Sequence, residues 1–70
     1  MINVSEIVEE IASSVGLVLD DAKREYLEKI CYREYKRIED LVKRGKQDYV
    51  MNVVYHFTKL EAVRLKEVSV

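Results

Sequence analysis

The side chains that most often do chemistry are scarce in this 70-residue chain, which has one histidine and one cysteine. Metal sites in helical bundles use a glutamate three residues before a histidine, but Val53 stands three residues before His56. Cys31 falls among apolar residues with no base that the sequence places beside it, so we interpret it as a small core residue rather than a nucleophile. Gly-rich phosphate loops, nucleophile elbows and zinc ligand sets are missing. We therefore predict no catalytic activity, no metal and no cofactor.

Three charged residues interrupt the apolar sides of two long predicted helices. Glu34 lies at roughly 340° on a helical wheel that has Leu27 at zero, and Glu61 and Arg64 interrupt the later helix in the same way. A buried, unpaired charge is costly, so these side chains must be paired, hydrogen-bonded or hydrated. Either they form an ion-pair layer within the chain, or Glu34 meets Arg64 or a tyrosine hydroxyl of a second copy. A metal or catalytic site is a third explanation, against which the missing Glu-x-x-His spacing argues.

Apolar residues recur every three or four positions, which predicts an all-α fold. A short amphipathic helix is predicted over about 4–15, with Gly16 as its stop, and longer helices over about 21–44 and 48–68. Gly45 is the only break between the long helices. Because their lengths match and the turn is short, we expect them to form a long antiparallel helical hairpin. We expect one domain, spanning residues 1–70.

Each long helix has one apolar side that we expect to be buried. In the second helix this side consists of Leu27, Ile30, Cys31, Tyr35, Ile38, Leu41 and Val42. In the third helix it consists of Val50, Val53, Val54, Phe57, Leu60, Leu65 and Val68. Residues 49–57 are rich in β-branched and aromatic types, as a strand would be. They lack the alternation of a strand and run directly into a helix-forming stretch, so we predict helix.

A chain this short hides only about 60 % of its unfolded surface, and a two-helix rod leaves apolar surface on its flanks. We therefore expect self-association into a homodimeric helical bundle. Tyrosine rings on helix flanks suit such an interface, although they can equally widen the core under the first helix. The residues predicted to lie at a partner or oligomer interface are Tyr26, Tyr32, Tyr35, Tyr55, Glu34, Glu61 and Arg64.

Charge is unevenly distributed along the chain. Residues 1–21 carry five acids and no base, whereas residues 22–46 carry nine Lys or Arg against five Asp or Glu. A basic stripe on the second helix is a candidate for phosphate contacts. Its members are Lys29, Arg33, Lys36, Arg37, Lys43, Arg44 and Lys46. Glu25, Glu39 and Asp40 interrupt the stripe, and motifs typical of nucleic-acid-binding domains are missing.

These patterns favour a small protein–protein interaction or adaptor module that acts as a homo-oligomer and presents a helical surface to a larger protein. The alternative is a nucleic-acid-binding protein that uses the basic stripe. A single cysteine forbids an intrachain disulfide, and no apolar run approaches 18 residues, so we predict a cytoplasmic protein with no membrane contact. The charged fraction of 36 % and the few Asn and Gln residues are typical of thermophilic proteins.

Overall fold

The computed structural model describes residues 3–68, which form three α-helices and no strand. These are α1 (Val4–Val15), α2 (Asp21–Lys43) and α3 (Gln47–Val68). The all-α class predicted from the apolar spacing is confirmed, and residues 49–57 are helical rather than extended. The two ends of the predicted domain, residues 1 and 70, lie outside the described residues.

Short polar residues and glycine set the ends of α1 and the start of α2. The side-chain oxygen of Asn3 accepts a hydrogen bond from the backbone N–H of Glu6 at 3.1 Å, which caps α1. Gly16 ends α1 in the left-handed conformation, with φ of 76°. Asp20 caps α2 by accepting from the backbone N–H of Lys23 at 2.8 Å. That bond is the main reason that the pKa of Asp20 is lowered.

A short turn joins α2 to α3, and side-chain contacts between the two helices show which parts of them meet. Gly45 adopts a left-handed conformation there, with φ of 79°. The hydroxyl of Tyr26, near the start of α2, donates to Glu61, near the end of α3, at 3.0 Å. Farther towards the turn, the buried thiol of Cys31 lies beside the buried Thr58. The early part of α2 therefore contacts the late part of α3.

Helix α1 packs on both long helices and is fastened by polar contacts at its margins. Arg24 of α2 pairs with Glu9, and the Tyr55 hydroxyl of α3 donates to Glu10 at 3.0 Å. The ammonium group of Lys66 donates at 2.8 Å to the backbone carbonyl of the last residue of α1. A cation at this position also complements the helix dipole. Acidic side chains of α1 are thus bound by an arginine of α2 and a tyrosine of α3.

One hydrophobic cluster fills the space where the three helices meet. Leu17, from the connection between α1 and α2, is buried in it, whereas the next residue, Val18, is 84 % exposed. The buried members of the cluster are Ile7, Val8, Ile11, Ala12, Leu17, Leu27, Cys31, Val50, Val54 and Ala62. We call this set the central cluster.

The buried side of α3 is rotated relative to the predicted one. Its fully buried residues are spaced four apart and include two small ones; they are Val50, Val54, Thr58 and Ala62. Phe57 and Leu60, which we expected in the core, are 41 % and 52 % exposed, and Val68 is 77 % exposed. The physical reason is that a short α1 covers only one side of α3, and small residues on that side let the helices approach closely.

Replacement of Thr58 by valine is expected to raise the free energy of unfolding by up to about 1 kcal/mol. The Thr58 hydroxyl is buried and makes no hydrogen bond of good geometry with the described residues. The thiol beside it is a weak partner at best. Thr58→Ser is the matched control, because it keeps the hydroxyl and loses a buried methyl worth about 0.8 kcal/mol. Thermal unfolding at one fixed protein concentration gives both values. If the valine variant is less stable than the serine variant, this explanation is wrong.

Candidate interaction surface

Helix α1 covers one side of the layer formed by α2 and α3 and leaves the other side uncovered. At roughly 100° per residue, Phe57 lies about 160° around α3 from Tyr55, which bonds to α1. On α2, Ile30 lies about 120° from Arg24, which pairs with Glu9 of α1. Apolar side chains on the uncovered side come from both long helices. We define them as the open face: Tyr26, Ile30, Val53, Phe57 and Leu60.

The open face is separate from the central cluster. Its five members are found neither in that cluster nor among the partly buried hydrophobic residues packed against it. Ile30 is only 7 % exposed, but Tyr26 is 40 % exposed, and Phe57 and Leu60 on α3 are exposed to a similar extent. A continuous apolar patch bordered by polar groups is typical of interaction sites rather than of the free surface of a monomer.

One polar group borders the open face at the end away from the α2–α3 turn. Glu61 accepts a hydrogen bond from the Tyr26 hydroxyl at 3.0 Å, and an N–H of Arg64 donates to its other oxygen at 3.4 Å. The bond to Glu61 is the main cause that raises the pKa of Tyr26 above its ordinary value. Charge is balanced in this group, and both oxygens of the carboxylate are engaged.

A second polar group borders the open face nearer the turn. The side chain of Glu34 is only 7 % exposed and lies 3.6 Å from an Arg33 nitrogen and 3.7 Å from an Arg37 nitrogen. Both distances exceed that of a good hydrogen bond, so the attraction is mainly electrostatic. The two arginine side chains are 65 % and 68 % exposed. Each guanidinium has five N–H donors, most of which remain accessible from outside.

The predicted interface residues fall on two sides of the molecule. The open face or its border holds Tyr26, Glu34, Glu61 and Arg64. The other side holds Tyr32, Tyr35 and Tyr55. Tyr55 binds α1 and Tyr35 packs against the central cluster, whereas Tyr32 is 54 % exposed beside a shallow groove.

Sequence reasoning missed the exposure of Phe57 and Leu60. The apolar arc on α3 indicated this exposure, because it is too wide to be covered by one partner helix.

The basic stripe of α2 is partly neutralised by acids of its own helix. The residues that pair in this way are Arg33, Lys36, Arg37 and Arg44. Within residues 3–68, no ion pair involves Lys29, Lys43 or Lys46. Lys36 donates to Glu39 at 2.8 Å, and this bond raises the pKa of Lys36. Nucleic-acid binding through the stripe stays a prediction.

A groove of 320 Å³ lies between α1 and α3 on the covered side of the molecule. Its lining combines an apolar floor with exposed polar groups; it consists of Glu10, Ile11, Ser14, Asn52, Tyr55, His56 and Lys59. His56 lies on this surface, and its ring forms a T-shaped pair with that of Phe57 at a centroid distance of 5.3 Å. Because Glu10 is already engaged by Tyr55, the groove does not present a converging set of free polar ligands.

The chain matches no protein-family model, no curated protein and no solved structure. In the described part of the chain, the His, Cys, Asp and Glu side chains form no group of three or more that would hold a metal ion. Between residues 3 and 68, every helix is too short or too polar to cross a bilayer.

Tyr55 is expected to lose its proton at a pH above the ordinary value for tyrosine, because burial and its hydrogen bond to Glu10 both raise its pKa. Since the pKa is raised in the folded state, the stabilising contribution is complete below a pH of about 10. It is lost as pH rises through the higher folded value. Tyrosinate absorbance during a pH titration should show one late-titrating group fewer in Tyr55→Phe. Glu10→Gln should lower the pKa of Tyr55 without removing its titration. A late phase unchanged in both variants would contradict this assignment.

Proposed function

We propose that this chain is a small helical interaction module that acts as a homo-oligomer and presents a helical surface to a larger protein, without catalysis of its own. In this proposal α2 and α3 form an antiparallel helical hairpin, and a second copy closes its open face to give a homodimeric helical bundle. The observation that carries the proposal is the exposure of Phe57 and Leu60 on the side away from α1.

The size and shape of the chain support this proposal. A compact monomer of 8.3 kDa exposes about 4,600 Å² by the usual scaling of surface area with mass. This chain exposes 5006 Å² and extends over 42 × 17 × 16 Å. The excess surface of a thin rod is reduced most efficiently by side-by-side packing with another rod.

The composition of the open face is that of an interface. Its centre holds Ile30, Phe57 and Leu60, and its border holds paired charged residues. Protein interfaces combine an apolar, aromatic centre with a polar rim in this way. Aromatic residues at the centre of such a patch often carry most of the binding energy. We therefore infer that Phe57 is the main anchor of the interface.

The surfaces outside the open face are available for the larger protein. Glu6 and Glu9 are exposed on α1, and Lys29 and Lys36 are exposed on α2. The two surfaces have opposite charge, so a dimer would present each of them twice. We propose that a larger protein in the cytoplasm binds there, through electrostatic contacts that also steer its approach.

The wild-type chain is expected to be a dimer at micromolar concentration, as measured by light scattering. Phe57→Lys or Leu60→Glu should weaken the dimer at least about 100-fold, because each dimer loses the residue twice and central residues contribute about 2 kcal/mol or more. Both changes place a charge where the partner would bury it.

Val18→Lys is the matched control for these variants. It introduces the same charge as Phe57→Lys at an apolar residue that is 84 % exposed in the connection between α1 and α2 and is not a member of the open face. This variant should remain dimeric, and circular dichroism should show helical content like that of the wild type in all three. A well-folded wild-type monomer at micromolar concentration would refute the proposed function.

A further inference from the structure

We infer that the second copy packs on the open face in the antiparallel orientation, with α3 on α3, so that Arg33 and Arg37 of each copy meet Glu61 of the other copy. This inference rests on the proposed function and goes further, because it states which residues recognise each other across the interface. It follows from the spacing of the polar groups, from their charge, and from the exposure of the arginine side chains.

The two polar groups lie at matching distances from the apolar centre of the open face. Tyr26 and Glu61 are hydrogen-bonded, and Ile30 and Phe57 lie four residues from them, so these two apolar residues stand at nearly the same level. Glu34 is four residues beyond Ile30, which is about 6 Å along α2 at 1.5 Å per residue. Glu61 is equally far from Phe57, in the opposite direction. Each end of the face therefore has one carboxylate.

Charge distinguishes the two ends. The group nearer the turn has two cations for one carboxylate, since Arg33 and Arg37 share Glu34. The group at the other end is balanced, since Arg64 pairs with Glu61. A symmetric dimer presents the same patch on both copies, so only the relative direction of the two copies decides which groups meet.

A parallel dimer would bring like groups together and collect four arginines around two glutamates at one end of the interface. An antiparallel dimer joins unlike groups, so that each end holds three arginines and two glutamates. The excess positive charge is then divided between the ends, which lowers the repulsion within a partly desolvated interface. Arg33 and Arg37, each about two-thirds exposed, gain the carboxylate of the other copy's Glu61. The two Phe57 rings face each other across the symmetry axis.

A double-mutant cycle on the dimer dissociation constant tests this arrangement. Within one chain, Arg37 contacts Glu34, whereas Glu61 contacts Tyr26 and Arg64. Residues 37 and 61 lie on opposite sides of the apolar centre, about 16 Å apart along the helices. Coupling between them therefore requires contact between copies. Arg33 is unsuitable for the cycle, because it acts electrostatically on the Tyr26 hydroxyl that binds Glu61 within the same chain.

Arg37→Glu and Glu61→Arg should each weaken the dimer about tenfold or more, because each places like charges together across the interface. The chain that carries both changes should recover to within a few-fold of the wild-type dissociation constant. Lys36→Glu is the control: it removes an ion pair with Glu39 on the same helix, away from the open face, and should leave dissociation unchanged. Circular dichroism must show that each variant keeps its helical content.

If the losses of dimer affinity in the two single variants simply add in the double variant, the antiparallel arrangement is wrong, whereas the proposed homodimer stands. A monomeric wild type would overturn both.

Disulfide formation gives a second measurement, in a Cys31→Ala background that removes the native thiol. Packing of α3 on α3 brings two Phe57→Cys positions face to face, so a disulfide-linked dimer should form at a protein concentration high enough to offset the loss of the ring. Packing of α3 on α2 separates them by about 10 Å, too far for a disulfide. A chain that stays dimeric without forming this disulfide would refute the inference.

Discussion

A two-helix layer has two sides, and this chain has only one short helix with which to cover them. Helix α1, at 12 residues, is about half as long as α2 and α3, and it packs on one side of the layer. Ile7, Val8 and Ile11 supply its buried contacts. Burial of apolar surface is the main stabilising contribution to folding, so this single docking event decides which residues of α2 and α3 become core. On the other side, Phe57 and Leu60 are left 41 % and 52 % exposed.

Local sequence predicted the parts of the fold that depend on local interactions. Asn3, Gly16, Asp20 and Gly45 set the helix ends through side-chain capping or a left-handed backbone, and such effects act within a few residues. The apolar spacing likewise predicted three helices without strands. The orientation of α3 about its own axis was beyond this reasoning, because it depends on where α1 packs. Thr58 was not expected in the core, since its hydroxyl makes it a poor core residue by pattern alone.

The sequence also predicted part of the candidate interaction surface. Glu34 stood out in the sequence because a carboxylate within an apolar arc requires a partner, and the structure supplies Arg33 and Arg37 on the same helix. Glu61 and Arg64 also interrupt an apolar arc in the sequence, and in the structure they lie 3.4 Å apart on α3. The apolar centre between these groups was missed, because a helical wheel shows how many residues are apolar but not which of them a neighbouring helix will cover.

The contacts that fasten α1 have a consequence for the order in which the chain folds during synthesis. Glu10 meets Tyr55 across 45 residues of sequence, and Val15 meets Lys66 across 51. Contacts between such distant residues require the closure of a large loop and form late. Although α1 precedes both long helices in the sequence, the part of its binding site that α3 supplies is incomplete until the last turns of α3 have been made. Ile7 and Ile11 therefore lack part of their final cover until then, and the first of the three helices is the last to complete its packing.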